Sequence, residues 1–516
     1  MLIPARTGAT VGGRQQALAW LSRIEAETWL LAGITVLAAA LRFATLSGQS
    51  YWLDEAQAVH EMHLSFGGML SAWGATEWNP PLYLLIAWPW AKVFGTSEAG
   101  LRSLSALLGT AAIPITYLCG RELVSRRAGL AAAALAALSP FMIWYSQEAR
   151  EYMLLAVLSG MSLLFFARTW HGPSRRNLAW WAAFSGLALL TQYFAAFLIA
   201  AEAIGLLYRA RSRATVVAIA VLALLQAALI PHVVSHIVNP AQFIVGVPLS
   251  LRVQQVPVTF GLNTLYHSSI VSYGLLGAAV LAIAVIVLLV IGAKTAELSG
   301  AGLAALMAAA VVLVPLVLAL LGHDDYLARA LMPGWIPLVV VIGAACSATG
   351  ARRAGAVLFV VLAAMFVYAG VRIDGDPQYQ RPDWRRIAAV LGTSSVTRAV
   401  VTYDGEFAAG PLSIYLPRIA WAGPGEQLNA SPAAVTVSEL DIVGNTYQTL
   451  AKPLRGGIQL IASHAVNGYQ VDRFRLSPPR SLSRAQIGEL APALLYPAAS
   501  GAVVVIQPPR VHLVVR

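Results

Sequence analysis

Charge is what this chain has least of. Asp, Glu, Lys and Arg make up 11% of its 516 residues, hydrophobic side chains 58%, and the mean hydropathy is +0.68. Soluble domains carry about a quarter of their residues as charges, so a soluble reading is excluded. Cysteine is almost as scarce: Cys119 and Cys346, each expected near the inner end of a helix, rule out a disulfide framework. The formal charge of +11 would ordinarily bring nucleic acid to mind as a partner. Here the basic residues cluster in short segments between apolar runs: Arg121 with Arg126 and Arg127, Arg168 with Arg175 and Arg176, Arg209 with Arg211 and Arg213, and Arg352-Arg353. Such loops belong on the cytoplasmic side of a membrane, and nucleic acid is no partner.

What is present is helix of membrane-spanning length. Fixing the basic loops inside gives about eleven crossings, at 29–46, 99–119, 128–144, 152–168, 178–191, 194–208, 214–231, 270–292, 301–321, 331–349 and 354–371, with the N-terminus inside and the C-terminus outside. The pair 178–191 and 194–208 is short and meets at Thr191-Gln192-Tyr193, which predicts a hairpin with a tight outer turn. Residues 1–28 lack an apolar core ending in a cleavage site, so they read as a cytoplasmic segment ahead of a retained anchor. Counting 80–94 as a span would move Arg121, Arg126 and Arg127 outside, so it is expected to lie along the outer membrane surface with Trp88 and Trp90 at headgroup depth. His60, Glu61 and His63 precede it in another interfacial helix; His-Glu-Met-His does not have the spacing of a zinc protease motif.

From Arg372 the long apolar runs stop, and 372–516 is expected to form a separate soluble α/β domain outside the cytoplasm. Asp383 is placed to cap a helix over Trp384–Leu391. Short strands are expected at 399–403, 458–461, 503–506 and 511–515, and loops at Gly410-Pro411 and Gly423-Pro424-Gly425.

The chemistry should sit where ionisable groups collect on the outer side. Three segments qualify: the first outer loop, 47–98, with Tyr51-Trp52-Leu53-Asp54-Glu55 and Glu77; the link Ser146-Gln147-Glu148-Ala149-Arg150-Glu151; and Gly322-His323-Asp324-Asp325-Tyr326 followed by Arg329. Carboxylates beside arginines at three helix junctions suit a reaction on a phosphate-bearing lipid.

In order along the chain come Trp52-Leu53-Asp54-Glu55, Asn79-Pro80-Pro81-Leu82-Tyr83, Phe94-Gly95-Thr96-Ser97-Glu98 with the run from Leu101 to Leu107, Ser139-Pro140 with the run from Trp144 to Arg150, and Arg329-Ala330-Leu331-Met332-Pro333. Each is weak singly. In sequence they resemble the C-type membrane glycosyltransferases, the group that includes protein O-mannosyltransferases and the enzymes that add aminoarabinose or galacturonic acid to lipid A. The resemblance covers most of 29–371, which would be the transmembrane glycosyltransferase domain. It implies transfer of a sugar, with inversion, from a polyprenyl-phosphate carrier to a lipid, glycan or protein acceptor outside the cytoplasmic (inner) membrane. It also implies Asp54 as general base, with Glu55 beside it and Glu148 as the second acid. Arg102, Arg150, Arg329 and Lys92 are the candidates to hold the departing phosphate. No cofactor is certain; Mg²⁺ or Mn²⁺ on Asp54 and Glu148 would suit paired carboxylates facing a phosphate. The chain departs from the family in having Asn79 where many members have His, and Ala330 where they have Tyr.

Structural alternatives accompany these roles: a cap for Asp54, ion pairs of Glu148 with Arg150 or Arg102, and of Arg329 with Asp324 or Asp325. The rival function is a transporter or flippase of a lipid-linked sugar, for which Glu202 within an apolar run is thin support. A noncatalytic assembly subunit is the third reading.

Overall fold

A computed structural model describes residues 11–237, 244, 246–263, 268–402, 406–416, 434–445, 449–450, 456–496 and 503–507. It is a helical, multi-pass membrane protein with a small C-terminal sheet domain. Among the described residues, eight helices are long and apolar enough to cross a bilayer: Ala26–Phe43, Glu98–Leu123, Tyr152–His171, Arg213–His232, Tyr273–Gly292, Thr295–Leu320, Ala328–Cys346 and Arg352–Gly375. The chain divides into two compact units: Met1–Ala44, Thr76–Leu85 and Arg102–Gly370 in one, Thr45–Ala75, Ile86–Leu101 and Val371–Arg516 in the other.

In the first unit, Tyr152–His171 and Ala328–Cys346 lie inside the bundle, with 78% and 83% of their most apolar stretch buried, against 11% for Tyr273–Gly292. An apolar side chain loses nothing by facing lipid, so burial here is set by packing, and glycine sets where helices close. A Cβ on Gly343 would come within 2.6 Å of the Ala128 carbonyl, and one on Gly120 within 2.7 Å of the Gly129 Cα. Such small-residue crossings are how helices associate where the hydrophobic effect cannot drive them.

The expected single span at 128–144 is instead broken. Arg126–Leu138 and Pro140–Ser146 meet at 60°. Ser139 caps the second piece, its hydroxyl accepting from the Met142 N–H at 3.3 Å, and Pro140 takes the first helical position, where a missing N–H is harmless. The expected hairpin is there as two fifteen-residue helices, Arg175–Leu189 and Ala195–Arg209. Glu202 serves as their tie: one carboxylate oxygen accepts from Ser162 at 2.5 Å and from Trp181 Nε1 at 2.8 Å, and Ser162 bonds Ser185 at 2.8 Å. Helix Leu249–Leu262 carries no span-length signal and was not foreseen.

In the second unit a five-stranded sheet runs in the order β4-β5-β2-β1-β7. Its strands are β1 (Arg398–Thr402), β2 (Val435–Asn445), β4 (Ile458–Val466), β5 (Tyr469–Leu482) and β7 (Val503–Gln507); β3 (Thr449–Leu450) pairs separately with β6 (Leu495–Tyr496). β1 runs parallel to β2, and the other neighbours are antiparallel. Side chains alternate across the sheet. Ala399, Val401, Leu440, Ile442 and Phe474 pack on one face with Ile487 and Leu494 of helix Arg484–Leu494. On the opposite face Val400, Val443, Val471 and Val505 pack with Trp384, Ile387 and Leu412. Asp383 caps Trp384–Leu391 as expected, accepting from the Arg386 N–H at 3.1 Å.

Two strands of the five-stranded sheet, β2 and β5, were not anticipated, nor was the short β3–β6 pair. β5 carries Arg473 and Arg475 across from Asp441 and Glu439 of β2, with Arg473 Nε 2.9 Å from the Asp441 carboxylate. The loop expected at Gly410-Pro411 is wrong: both lie in helix Glu406–Tyr415. A Cβ on Gly410 would stand 3.0 Å from the Leu53 side chain, so this glycine marks where helix Leu53–His63 crosses rather than a chain reversal. The expected 511–515 strand, Gly423-Pro424-Gly425 and Tyr403 lie outside the described residues.

Candidate active site

Of the seven candidates, Glu148, Arg150, Arg102 and Arg329 belong to the first unit; Asp54, Glu55 and Lys92 belong to the second.

The link 146–151 joins helices Pro140–Ser146 and Tyr152–His171, and all six residues are buried, Glu148 to 1% exposure. A buried polar turn stands only if its groups are partnered. Arg42 of the first helix supplies much of this. Its guanidinium donates to Ser146 Oγ at 3.1 Å and to the carbonyls of Ala38, Ala136 and Ala137 at 3.1, 3.1 and 3.2 Å. Those last two carbonyls are freed by the helix break at Ser139. Gln147 bonds back to the carbonyls of Leu41 and Arg42 at 3.3 and 3.2 Å.

Arg150 grips Glu77 with both terminal nitrogens, at 2.8 and 3.2 Å, and its Nε lies 3.1 Å from Glu151. The other Glu151 oxygen accepts from the Asn79 amide at 2.8 Å, and the Glu77 carbonyl bonds the His232 ring at 3.0 Å. Asn79-Pro80-Pro81 and the 146–151 link, read as separate motifs, are therefore one ion network running Asn79, Glu151, Arg150, Glu77. Asn79 fills its departure from the family pattern with an amide donor to a carboxylate. Arg102 is buried on helix Glu98–Leu123, and Arg329 is half-buried in the 3₁₀ turn Ala328–Gly334.

The ion pair considered between Arg329 and Asp324 has a different cation. Arg252, on the unforeseen helix, holds both oxygens of Asp324, one at 2.8 Å, and donates to the Tyr326 carbonyl at 2.8 Å. This contact keeps the Asp324 carboxyl below the usual carboxylate range. Sequence spacing could not find it, because 72 residues separate the partners.

In the second unit, Asp54 and Glu55 occupy the first turn of helix Leu53–His63. Carboxylates are stabilised there by the unpaired N–H groups and the positive end of the helix dipole. Asp54 is half-buried and Glu55 fully buried, with Arg381 Nη1 at 3.9 Å from Glu55. Lys92 points its ammonium at the Met62 carbonyl, 2.8 Å away, and 4.7 Å from the Trp88 ring centre. It bonds helix Leu53–His63 to helix Leu82–Phe94. Among the described residues no three His, Cys, Asp or Glu side chains gather as metal ligands, so the donors present do not by themselves form a Mg²⁺ or Mn²⁺ cage.

Residues 79–235 match the family model described as dolichyl-phosphate-mannose-protein mannosyltransferase. No curated protein sequence matches. Among solved structures, ArnT from Cupriavidus metallidurans in the apo state is 14% identical, with a TM-score of 0.52 over 87% of this chain and 98% of that one. The same protein bound to undecaprenyl phosphate gives 0.49 at 14% identity, over 86% and 98%. The oligosaccharyltransferase AglB from Archaeoglobus fulgidus, with an inhibitory peptide and a dolichol-phosphate, gives 0.41 at 13% identity, over 81% and 69%. The resemblance read from the motifs is thus found twice over: the chain has the fold of ArnT along most of its length, and at 79–235 it carries the sequence pattern of the mannosyltransferase model.

Proposed function

We propose that the protein is a glycosyltransferase that moves a sugar from a polyprenyl-phosphate carrier to an acceptor hydroxyl at the outer face of the cytoplasmic membrane, with inversion. One observation carries the reading: the segment matching the mannosyltransferase model contains both Asn79-Pro80-Pro81 and 146–151, which form one buried ion network in the first unit. A network of that kind at helix junctions is costly to bury, and its use is to fix polar groups around a charged substrate.

In the proposed reaction the Asp54 carboxylate takes the proton of the acceptor hydroxyl while its oxygen attacks the anomeric carbon. The bond from that carbon to the phosphate oxygen breaks, and the lipid phosphate leaves as an anion. Its charge calls for a cation, and in the unit that holds Asp54 the candidate is Lys92, whose ammonium has hydrogens beyond the one it donates to the Met62 carbonyl. Arg150, already gripped by Glu77 and Glu151, serves better to hold the Glu148 turn than to meet a phosphate. The acceptor, whether lipid, glycan or protein, is set by pocket contacts that decide hydroxyl stereochemistry.

The test is transfer from labelled polyprenyl-phosphate sugars in membranes holding wild type or Asp54→Asn, with and without chelator. Transfer by wild type alone is expected. Equal transfer by Asp54→Asn would move the base elsewhere, and carrier-lipid flux with no glycosidic product would favour a flippase. Loss of activity in chelator would show that transfer depends on a divalent ion.

A further inference from the structure

The acidic pair is gripped from one side by residues far along the chain. Within the second unit, the Gln49 side chain accepts from the Arg381 N–H at 2.9 Å. Ser50 Oγ donates to the Pro382 carbonyl at 2.7 Å and accepts from the Trp384 N–H at 2.9 Å. Arg385 donates to the carbonyls of Ser47 and Gly48 at 2.8 and 3.0 Å. The Tyr51 N–H donates to Tyr415 Oη at 2.8 Å, and that hydroxyl donates to Glu98 at 2.7 Å. These bonds fix residues 47–51, where the chain enters helix Leu53–His63. That first turn carries Asp54 and Glu55, and Arg381 Nη1 stands at ion-pair distance from the Glu55 carboxylate, 3.9 Å. The Arg381 side chain is 6% exposed, and Glu55 is 0% exposed.

Burial makes this pair consequential. An exposed pair at 3.9 Å would contribute little, but a carboxylate with no water around it has lost its solvation and gains far more from a cation beside it. Asp54 precedes Glu55 directly, so whatever turns Glu55 also turns the base. We propose, resting on the function proposed above, that Arg381 is a positioning residue for the transfer reaction. Its buried guanidinium neutralises Glu55 and so locks the turn that aims Asp54. The C-terminal residues from Arg381 to Tyr415 are then part of the catalytic apparatus, not an appended binding module.

The experiment uses the full chain in membranes, with transfer measured from a labelled polyprenyl-phosphate sugar. Variants are Arg381→Gln, Arg381→Lys, Glu55→Gln, the double Glu55→Gln/Arg381→Gln, and Arg386→Gln as an exposed neighbour. Arg381→Gln is expected to lower kcat about a hundredfold, the scale of a misplacement of about 1 Å, with donor KM changed less than about threefold. Arg381→Lys recovers part of the loss. The double variant is no slower than Arg381→Gln, because removing Glu55's charge removes what Arg381 compensates. Arg386→Gln matches wild type. Thermal unfolding of each variant normalises for folded protein. Wild-type kcat in Arg381→Gln, or a loss that tracks folded fraction alone, overturns the proposal while leaving the enzyme reading intact. Additive losses in the double variant overturn it too. Absence of transfer by wild type with every donor overturns the parent reading, and the positioning role with it.

Discussion

Arg150 and Glu77 meet as a two-pronged ion pair, Nη1 to Oε1 at 2.8 Å and Nη2 to Oε2 at 3.2 Å, with both side chains less than a tenth exposed. Breaking such a pair from one side leaves a buried charge without its partner. Arg150→Ala is therefore expected to destabilise the protein by about 3–5 kcal/mol. The double variant Arg150→Gln/Glu77→Gln should lose less than the two single variants combined, since neither charge is then stranded. Denaturation of the detergent-solubilised protein checks both.

Gly109 faces the same link from helix Glu98–Leu123. A Cβ there would stand 2.0 Å from Ser146 Oγ, 2.8 Å from Ser146 Cβ and 3.2 Å from Arg42 Nε. Gly109→Ala must displace Ser146 and with it the bond from Arg42. We expect transfer activity to fall at least about tenfold while the protein still inserts, because the displaced turn carries Glu148. A membrane-inserted variant of undiminished activity would show that the link tolerates this shift.

Glu202 separates a structural carboxyl from a transport residue. Glu202→Ala strands the buried Trp181 N–H and Ser162 hydroxyl, and should cost about 1–3 kcal/mol for the unmade bonds. Glu202→Gln keeps an oxygen that accepts both, so stability and transfer should stay close to wild type. Lost transfer in a stable Glu202→Gln would point to a role for the carboxyl's ionisation.

Asp324 gives the protein a defined acid sensitivity. Its carboxyl is held below the usual range chiefly by the hydrogen bonds from Arg252. A depressed folded value means the contribution is complete above the unfolded value of about 4 and is lost as pH falls through the lower folded one. Because the Asp324 side chain keeps 32% exposure, salt should weaken the effect. Thermal unfolding between about pH 2 and 5 should show a smaller loss on acidification for Asp324→Asn than for wild type, and the difference should shrink in high salt.

The membrane character and the helical body follow from sequence because hydropathy acts through composition over about twenty residues, and no tertiary contact is needed to read it. Motif order was legible for the same reason: Asn79-Pro80-Pro81 and Ser146 to Glu151 are local strings. The sheet was half legible. β1, β4 and β7 are rich in β-branched residues, while β5 concealed itself behind Arg473 and Arg475, whose charges make sense only opposite Asp441 and Glu439.

Pairing was beyond the sequence. Nothing local tells Arg150 to take Glu77 and Glu151, Asp324 to take Arg252 rather than Arg329, or Arg42 to cap carbonyls at a helix break 94 residues away. By itself the sequence determined that the chain lies in a membrane, where its charges are few, and which strings could bear chemistry. Tertiary structure alone decided which charges neutralise one another, because an ion pair is chosen by distance in space and by the absence of water around it, and neither is written in residue order.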